Sequence, residues 1–495
     1  MLKLKHIPVK SFGENIAYIH RDCSFYKVDD VNKVTKLEIH KGGRTIYAFL
    51  QIIAEEGVLA LDEIGLNDDA FKSLDMSEGT EVHVGLAAPS LSTSALRKKI
   101  SGEILTSGEY AAIINDIAAG RYSKMDIAAF LVACSSSMSS TELVSFTEAL
   151  VAKKILHWDE KNMVVDHHCL GGVPGNKTDL IVLAITAAYG LPIAKSCIHS
   201  LTSCSGVADT MGVMAEVNLN AAKFQKLVRA NNGAIVNYEA MEETKVNHLL
   251  HDVRSQLGIN QNELVMASIL AMMISTGVSH LVLDIPVGPH ARIHSTNEAI
   301  RIRKQVEYIG DMLGLSIDVV TTDGSEPIGN GIGAVLEARD VMKILRNKED
   351  APADLREKSL FLAGRVLEFD AQLRGGQGYA VAKEILESGR AFEAFQKIVN
   401  AQGAKEVPSV GAYVREVVAP YDGVVKTINN DIISKIGIYS GATQCLGSGV
   451  DLQKKSGDRV HAGEVLYTIY SCNSADFDVV SQLVEHDSGY QIEAD

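Results

Sequence analysis

Residues 166–179 read D-H-H-C-L-G-G-V-P-G-N-K-T-D and place two histidines and a cysteine directly before a glycine-rich turn. Such a turn leaves backbone N–H groups without side-chain cover, and these groups favour anions when a helix begins just after them. An apolar run at residues 180–183 follows the turn. The stretch therefore predicts a phosphate-binding loop.

Two other chemistries compete for the same stretch. The P-loop pattern G-x-x-x-x-G-K-[ST] requires glycine where Asn176 stands, which argues against nucleotide hydrolysis. The triplet Asp-His-His at 166–168 matches the core of two-metal phosphoesterases, but no D-x-D motif precedes it. We therefore expect no metal and favour anion binding by backbone amides, which requires only the glycines.

Composition limits the class of protein. A formal net charge of −15 disfavours a general nucleic-acid binder. The apolar run at 180–194 is interrupted and too short for a membrane span, and the N-terminus has no apolar signal segment. The cysteines stand singly, without a C-x-x-C pair, and are predicted to be reduced thiols. We expect a cytoplasmic protein that binds neither nucleic acid nor membrane.

The elements that must position the loop change in type along the chain. Alternating apolar residues predict a β-rich N-terminal domain at 1–88, and i, i+3, i+4 periodicity predicts helices between 95 and 155. Strands at 280–286 and 317–323 alternate with helices at 264–275 and 334–345. After residue 416 the pattern is β-rich again. The sequence thus predicts an α/β multidomain protein with β-rich domains at both ends.

Five motifs in order resemble the thymidine/pyrimidine-nucleoside phosphorylase family. The loop with Pro174, the run D-I-P-V-G-P and the extra N-terminal domain look most like its AMP-phosphorylase-like branch. The motifs lie at residues 165–178, 200–211, 283–289, 327–333 and 336–340. The resemblance spans about residues 90–470, so chance similarity is negligible.

The resemblance implies a helical lobe and a large α/β lobe with an interlobe cleft. It divides the chain into a β-rich domain at 1–88, a helical lobe at 89–158 and 243–278, a phosphate-binding α/β lobe at 159–242 and 279–406, and a C-terminal α+β domain at 407–495. The implied reaction is cleavage of an N-glycosidic bond by inorganic phosphate, which gives free base and a pentose 1-phosphate. Phosphate is a co-substrate, no cofactor is expected, and the implied assembly is a homodimer or a higher homo-oligomer.

The resemblance also assigns site residues, several of them substituted. His167 replaces a lysine of the family pattern, Asp179 replaces a serine or threonine, and His168 is retained as a catalytic residue. A carboxylate at 179 would repel phosphate if it were close and desolvated. The expected phosphate or nucleotide-binding set is His167, Cys169, Gly171, Gly172, Asp179, Cys197, Ile198, His199, Ser200, Leu201, Thr202, Ser203 and Val207.

The base side is altered as well. Asn260 aligns with an aspartate that donates a proton in the AMP branch, and an amide can donate only a hydrogen bond. Arg254, Ser268 and Arg292 are the expected contacts to base and sugar. Because many polar ligands are replaced, an alternative stays open: a phosphorylase-fold protein that binds a nucleoside or nucleotide without phosphorolysis.

Overall fold

The computed structural model describes residues 1–11, 13–23, 36–55, 57–88, 90–136, 138–151, 155–159, 163–200, 203–373 and 375–494. These residues form two compact units, one of Met1–Ala152 with Lys245–Ser268, and one of Lys153–Thr244 with Ile269–Asp495. Among the helices of these ranges, none combines the length and apolar character that a bilayer crossing requires.

The first unit opens with a closed barrel whose strand order is β1-β5-β2-β4-β3-β6. Alternating residues such as Leu2 and Leu4 of β1 point inward and are buried, as period-two patterning requires. A short helix, α1, precedes the last strand. The elements are β1 (Leu2–His6), β2 (Ile16–His20), β3 (Lys36–Lys41), β4 (Arg44–Ile53), β5 (Glu63–Leu66), α1 (Asp68–Leu74) and β6 (Glu81–Leu86).

Helices make up the rest of the first unit. Two of them begin with reciprocal capping boxes, Thr106 with Glu109 and Ser139 with Glu142, which satisfy amides that have no partner within the helix. Inside this group, Lys99 and Glu142 form a buried ion pair at 2.7 Å. The helices are α2 (Thr93–Ile100), α3 (Ser107–Ala118), α4 (Lys124–Ser136), α5 (Ser140–Leu150) and α9 (Lys245–Gln256), followed by α10 (Asn262–Ser275), which continues past Ser268.

The second unit is built on a parallel five-stranded sheet of order β11-β10-β7-β8-β9. Helix α6 is apolar almost all round and is buried against α13 and α15. The elements of this part are β7 (Val165–Cys169), α6 (Thr178–Tyr189), β8 (Ile193–Cys197), α7 (Val207–Gly212), α8 (Ala221–Asn231), β9 (Gly233–Asn237), β10 (His280–Val287), α11 (Thr296–Leu313), β11 (Ser316–Asp323), β12 (Gly331–Ile332), α12 (Ala334–Leu345), α13 (Ala353–Leu367), α14 (Gln377–Glu387) and α15 (Arg390–Gln402). Short 3₁₀ turns lie at Tyr238–Ala240, Glu242–Thr244 and Ala371–Leu373.

The C-terminal part of the second unit consists of two small antiparallel sheets with two helices. Strand β12 joins the first of these sheets, of order β12-β15-β17-β13, and the second has the order β16-β14-β18. The elements are β13 (Tyr413–Val418), β14 (Gly423–Ile428), α16 (Asn430–Tyr439), β15 (Gly449–Leu452), β16 (Arg459–Val460), β17 (Val465–Ser471), α17 (Ser474–His486) and β18 (Tyr490–Ala494). The predicted α/β multidomain class with β-rich ends is confirmed.

One prediction about the cysteines is wrong. Cys445 and Cys472 form a disulfide with a Cα–Cα distance of 6.4 Å, whereas the sequence predicted only reduced thiols. The turn after α16 and the end of β17 bring the two residues together across 27 positions, so no local spacing signals the bond. The other five cysteines are free thiols, as predicted, and all five are buried.

Candidate active site at the carboxyl ends of the parallel sheet

The strand order places a switch point between β7 and β10. The chain proceeds from β7 to β8 and β9 on one side, then crosses to β10 and β11 on the other side of β7. In open parallel sheets, ligands bind outside the carboxyl ends of the strands at such a point. The loop of residues 170–177 leaves β7 there, and residues 288–295 leave β10 there.

The turn after β7 is shaped by close packing and retains free amides. A Cβ on Gly175 would lie 2.0 Å from Sγ of Cys169, so only glycine fits this position. The amides of Gly175 and Asn176 both bond to the carbonyl of Gly172, at 3.0 and 3.1 Å. The amides of Gly171 and Gly172 donate to no acceptor in the described chain. The sequence predicted an anion at this turn, and the free amides are available for one; their binding role stays a prediction.

The loop after β8 lies against this turn. Asn176 Nδ2 donates to the carbonyl of Ser205 at 3.0 Å, and a Cβ on Gly172 would meet Ser203 at 3.3 Å. The Ser200 and Ser203 hydroxyls are 2.6 Å apart. Two of the predicted phosphate-binding segments are therefore adjacent, while Leu201 and Thr202 lie outside the described residues.

Asp209 organises the loop after β8. Its Oδ2 accepts from the amides of Ser200 (2.9 Å) and Gly206 (2.8 Å), and its Oδ1 lies 2.5 Å from His199 Nδ1. The hydrogen bond to Asp209 raises the pKa of His199, a half-exposed side chain. Val207 is the first residue of α7 and is buried. His199 is therefore a solvent-accessible histidine in the loop after β8, and Asp209 favours its charged form.

A buried charged cluster lies at β7, β8 and the first turn of α6. We call Asp166, His167, Asp179 and Lys195 the buried quartet. His167 Nδ1 contacts Asp179 Oδ1, and Lys195 Nζ lies 3.2 Å from Asp179 Oδ2 and 3.6 Å from Asp166 Oδ1. All four side chains are at most 2% exposed. The carboxylate expected to repel phosphate is thus paired inside the protein.

Burial and pairing set the pKa values of this cluster. Burial raises the pKa of Asp166 to about 7 although Lys195 opposes the shift. Burial acts in the same direction on Asp179, but Lys195 and His167 outweigh it and hold the pKa of that carboxyl at about 2. Asp179 is therefore ionised at neutral pH and compensates the charge of Lys195.

His168 is a neutral group with spare hydrogen-bonding capacity. Burial, followed by the charge of Lys195, lowers the pKa of His168 to about 3. Its Nδ1 is buried and has no hydrogen-bond partner in the described residues. Since buried polar atoms are normally satisfied, this nitrogen is a candidate ligand contact. A neutral imidazole can donate or accept a hydrogen bond there but brings no charge.

Further polar residues on β10 and β11 were not among the site residues predicted from the sequence. Asp284 Oδ1 accepts from Thr322 at 2.5 Å, and its Oδ2 lies 3.3 Å from Lys358 Nζ. Burial and then Asp284 raise the pKa of Cys169 well above its usual value. Asp284 and Lys195 carried a readable signal, because each is a charged residue in an otherwise apolar buried strand. Lys358 lies on α13, and nothing in its local sequence indicates that it contacts Asp284.

The remaining predicted residues are placed as follows. Cys197 is the last residue of β8, is buried and donates to the carbonyl of Val236 at 3.3 Å; Ile198 follows it. Arg292 lies in the loop after β10, and burial lowers its pKa.

In the first unit, Arg254 Nη1 donates to Ser268 Oγ at 3.4 Å, so these two predicted contacts are brought together. Asn260 lies between α9 and α10. No group of three or more His, Cys, Asp or Glu in the described ranges is arranged for a metal ion.

Comparisons with known proteins agree with this architecture. Residues 93–154 match the family described as "Glycosyl transferase family, helical bundle domain", and residues 424–491 match "Pyrimidine nucleoside phosphorylase C-terminal domain". The chain is 42% identical to a protein of Methylococcus capsulatus named "Putative thymidine phosphorylase", with 99% of this chain and 96% of that protein covered. A protein of the same name from Rhodopseudomonas palustris is 40% identical over the same shares.

A solved structure shows the same fold in part of the chain. Anthranilate phosphoribosyltransferase from Thermus thermophilus superimposes with a TM-score of 0.52 at 18% identity, covering 62% of this chain and 99% of that one. At this identity the likeness concerns the fold alone.

Proposed function

This chain belongs to the thymidine phosphorylase family, and from that membership we propose that it cleaves a pyrimidine nucleoside with inorganic phosphate to give free base and pentose 1-phosphate. Thymidine is the first substrate to test, because the relatives of 40–42% identity carry its name. A homodimer or a higher homo-oligomer remains part of this proposal, and it rests on the resemblance alone.

The observation that carries the proposal is the meeting of two loops at the switch point. The turn after β7 offers the amides of Gly171 and Gly172, and the loop after β8 places Ser200 and Ser203 beside it. The Ser200 and Ser203 hydroxyls donate to the carbonyls of Ser203 and Ser205, and each would turn from its carbonyl to donate to a ligand. Backbone amides and hydroxyls together can bind a phosphate dianion without an excess of side-chain charge. We assign phosphate to this pair of loops.

The buried quartet supports activity despite its substitutions. Asp179 would repel phosphate if its charge were uncompensated, but it pairs with Lys195 at 3.2 Å and contacts His167. Together, Asp179 and Lys195 carry no net charge, so they do not repel an anion bound at the turn before α6. His168, neutral at physiological pH, is assigned a hydrogen bond to the substrate through its unpartnered Nδ1.

Nucleoside or nucleotide binding without phosphorolysis is the second candidate. One observation favours it: Lys177 and Lys195 each pair with an aspartate, so these two cations already have counter-charges, and His199 likewise contacts Asp209. Asn260 also stands where the resemblance implies a proton donor, and an amide does not deliver a proton. The proposed base and sugar contacts Arg254, Ser268 and Arg292 would serve either function.

Phosphate-dependent release of free base separates the two functions. The full chain is incubated with thymidine, uridine, deoxyuridine and the corresponding monophosphates, with and without phosphate, and base is quantified by chromatography. Gly175→Ala is the loss-of-function variant: its Cβ would lie 2.0 Å from Sγ of Cys169, so the turn or that side chain must shift, and turnover should fall sharply. If no base forms from any substrate while the same compounds raise the thermal midpoint, the second candidate replaces the first.

A further inference from the structure

A large cavity lies in the second unit away from the switch-point loops. It is lined by α12, α15, the segment that follows α15, and Tyr470 of β17, and its volume is about 630 Å³. This volume lies within the range of roughly 300–1,000 Å³ that is usual for small-molecule sites. Most of its wall is apolar, with Met214, Met342, Val399 and Val407 among the lining side chains.

The charged part of the wall is entirely basic. Among the described residues, no aspartate or glutamate lines this cavity, although the chain as a whole carries a net charge of −15. The basic residues are Arg339, Lys343, Arg346, Lys348 and Lys405. A cavity wall whose charges are all positive is complementary to an anionic ligand.

Two of these cations differ from the other three because, within the described ranges, neither has a carboxylate oxygen within ion-pair distance, although Lys348 lies in the electrostatic field of Asp350. Arg339 pairs with Asp451 at 2.5 Å, Lys343 with Asp350 at 2.6 Å, and Lys405 with Glu216 at 3.3 Å. For Arg346 and Lys348, by contrast, the described residues provide no ion pair.

Arg346 is also oriented by an aromatic ring. Its guanidinium lies over the ring of Phe392, 5.3 Å from the centroid. This cation–π contact restricts the side chain without neutralising it. A planar group with a negative charge could therefore approach a partly ordered cation.

We propose that this cavity binds a small organic anion with a planar apolar body, whose phosphate, sulfonate or carboxylate group meets Arg346 and Lys348. The apolar wall buries the ring and supplies most of the favourable free energy, and these two cations set the orientation of the charged group. The site is separate from the loops assigned to phosphate and does not depend on the proposed reaction.

The probe for this site is 8-anilinonaphthalene-1-sulfonate, which joins an apolar ring system to one anionic group. Its fluorescence is titrated with the full chain in the absence of phosphate. The double variant Arg346→Glu/Lys348→Glu should bind the probe about ten-fold more weakly, because two attractive contacts become repulsive. Val410→Asp, which changes an exposed lining residue, should weaken binding as well.

Lys397→Glu is the matched control. Lys397 lies on α15, is exposed and does not line the cavity, so the same charge reversal there should leave the affinity unchanged. Competition by benzenesulfonate, thymidine monophosphate and dodecyl sulfate then tests the shape of the apolar part of the ligand. Displacement of the probe by the two ring compounds, but not by the alkyl sulfate, supports a planar ligand. The proposal is overturned if the wild-type chain shows no saturable binding, if the control loses as much affinity as the double variant, or if only the alkyl sulfate displaces the probe.

Discussion

The contact between His167 and Asp179 and the contact between His199 and Asp209 each join a histidine to an aspartate in the first turn of a helix. His167 lies within β7, and His199 lies in the loop after β8. The first pair is 1% and 2% exposed, and the second is 42% and 21% exposed. Lys195 lies beside the first pair at 3.2 Å from Asp179, whereas water is available to the second. The two contacts therefore differ in what compensates their charge: Lys195 for the buried contact and solvent for the exposed one.

This difference explains how the loops after β7 and β8 can be well ordered and still accessible to a ligand. A carboxylate in the interior must receive a counter-charge from the protein, and Lys195 provides it for Asp179. The half-exposed His199 can exchange its partner for a ligand at little cost, because surface pairs contribute little. The buried contact therefore supports the fold beneath the loops, and the exposed contact is the one that a substrate can reach.

The largest expected effect comes from removing the shared cation. Lys195→Met leaves Asp166 and Asp179 buried without a compensating charge and should lower the free energy of unfolding by about 3–5 kcal/mol. Urea denaturation of the full chain, followed by circular dichroism, measures the change.

Lys426→Met is the control for this change. Its ion pair with Glu493 is exposed, with side chains 61% and 64% accessible, and its removal should leave the unfolding free energy nearly unchanged because solvent screens the pair. Equal effects of the two substitutions would show that the buried quartet is not held by its charges.

The second prediction concerns Asp179 itself. Asp179→Asn keeps the shape but removes the counter-charge of Lys195, and should cost about 2–3 kcal/mol of stability. Because the carboxylate is already paired, the phosphate KM of the folded variant should change less than about three-fold.

Steady-state kinetics at varied phosphate concentration checks the second half of this prediction. Asp209→Asn is the matched variant, since it removes the exposed partner of His199 and retains one oxygen for the loop amides. A large gain in phosphate affinity for Asp179→Asn alone would mean that its charge does reach the ligand.

Much of the frame could be predicted from the sequence because it depends on local patterns. The predicted helix at 334–345 matches α12 in its bounds, and the predicted strand at 280–286 matches β10 except for one residue. The glycine turn was readable for the same reason, since Gly175 has no space for a side chain. Periodicity and glycine chemistry act over a few residues and leave a direct trace.

The pairing of charges could not be read in this way. Lys195 reaches Asp179 only because β8 pairs alongside β7 and the first turn of α6 packs against both. Asp179 therefore looked like a repulsive group in a phosphate loop, and its compensation required the tertiary structure. The disulfide between Cys445 and Cys472 escaped prediction for the same reason, since register and packing place its partners.

The smallest expected effect tests the exposed pair through its pH dependence. The pKa of His199 is raised in the folded state by its hydrogen bond to Asp209, so protonated His199 stabilises the fold. This contribution is fully present below the unfolded-state pKa of about 6.5 and is lost as pH rises through the higher folded-state pKa. The unfolding free energy of the wild type should therefore exceed that of His199→Gln by about 0.5 kcal/mol at pH 5.5, and the difference should vanish at pH 9. Repeating both measurements in the Asp209→Asn background should abolish the pH dependence, and its persistence there would assign the titration to another group.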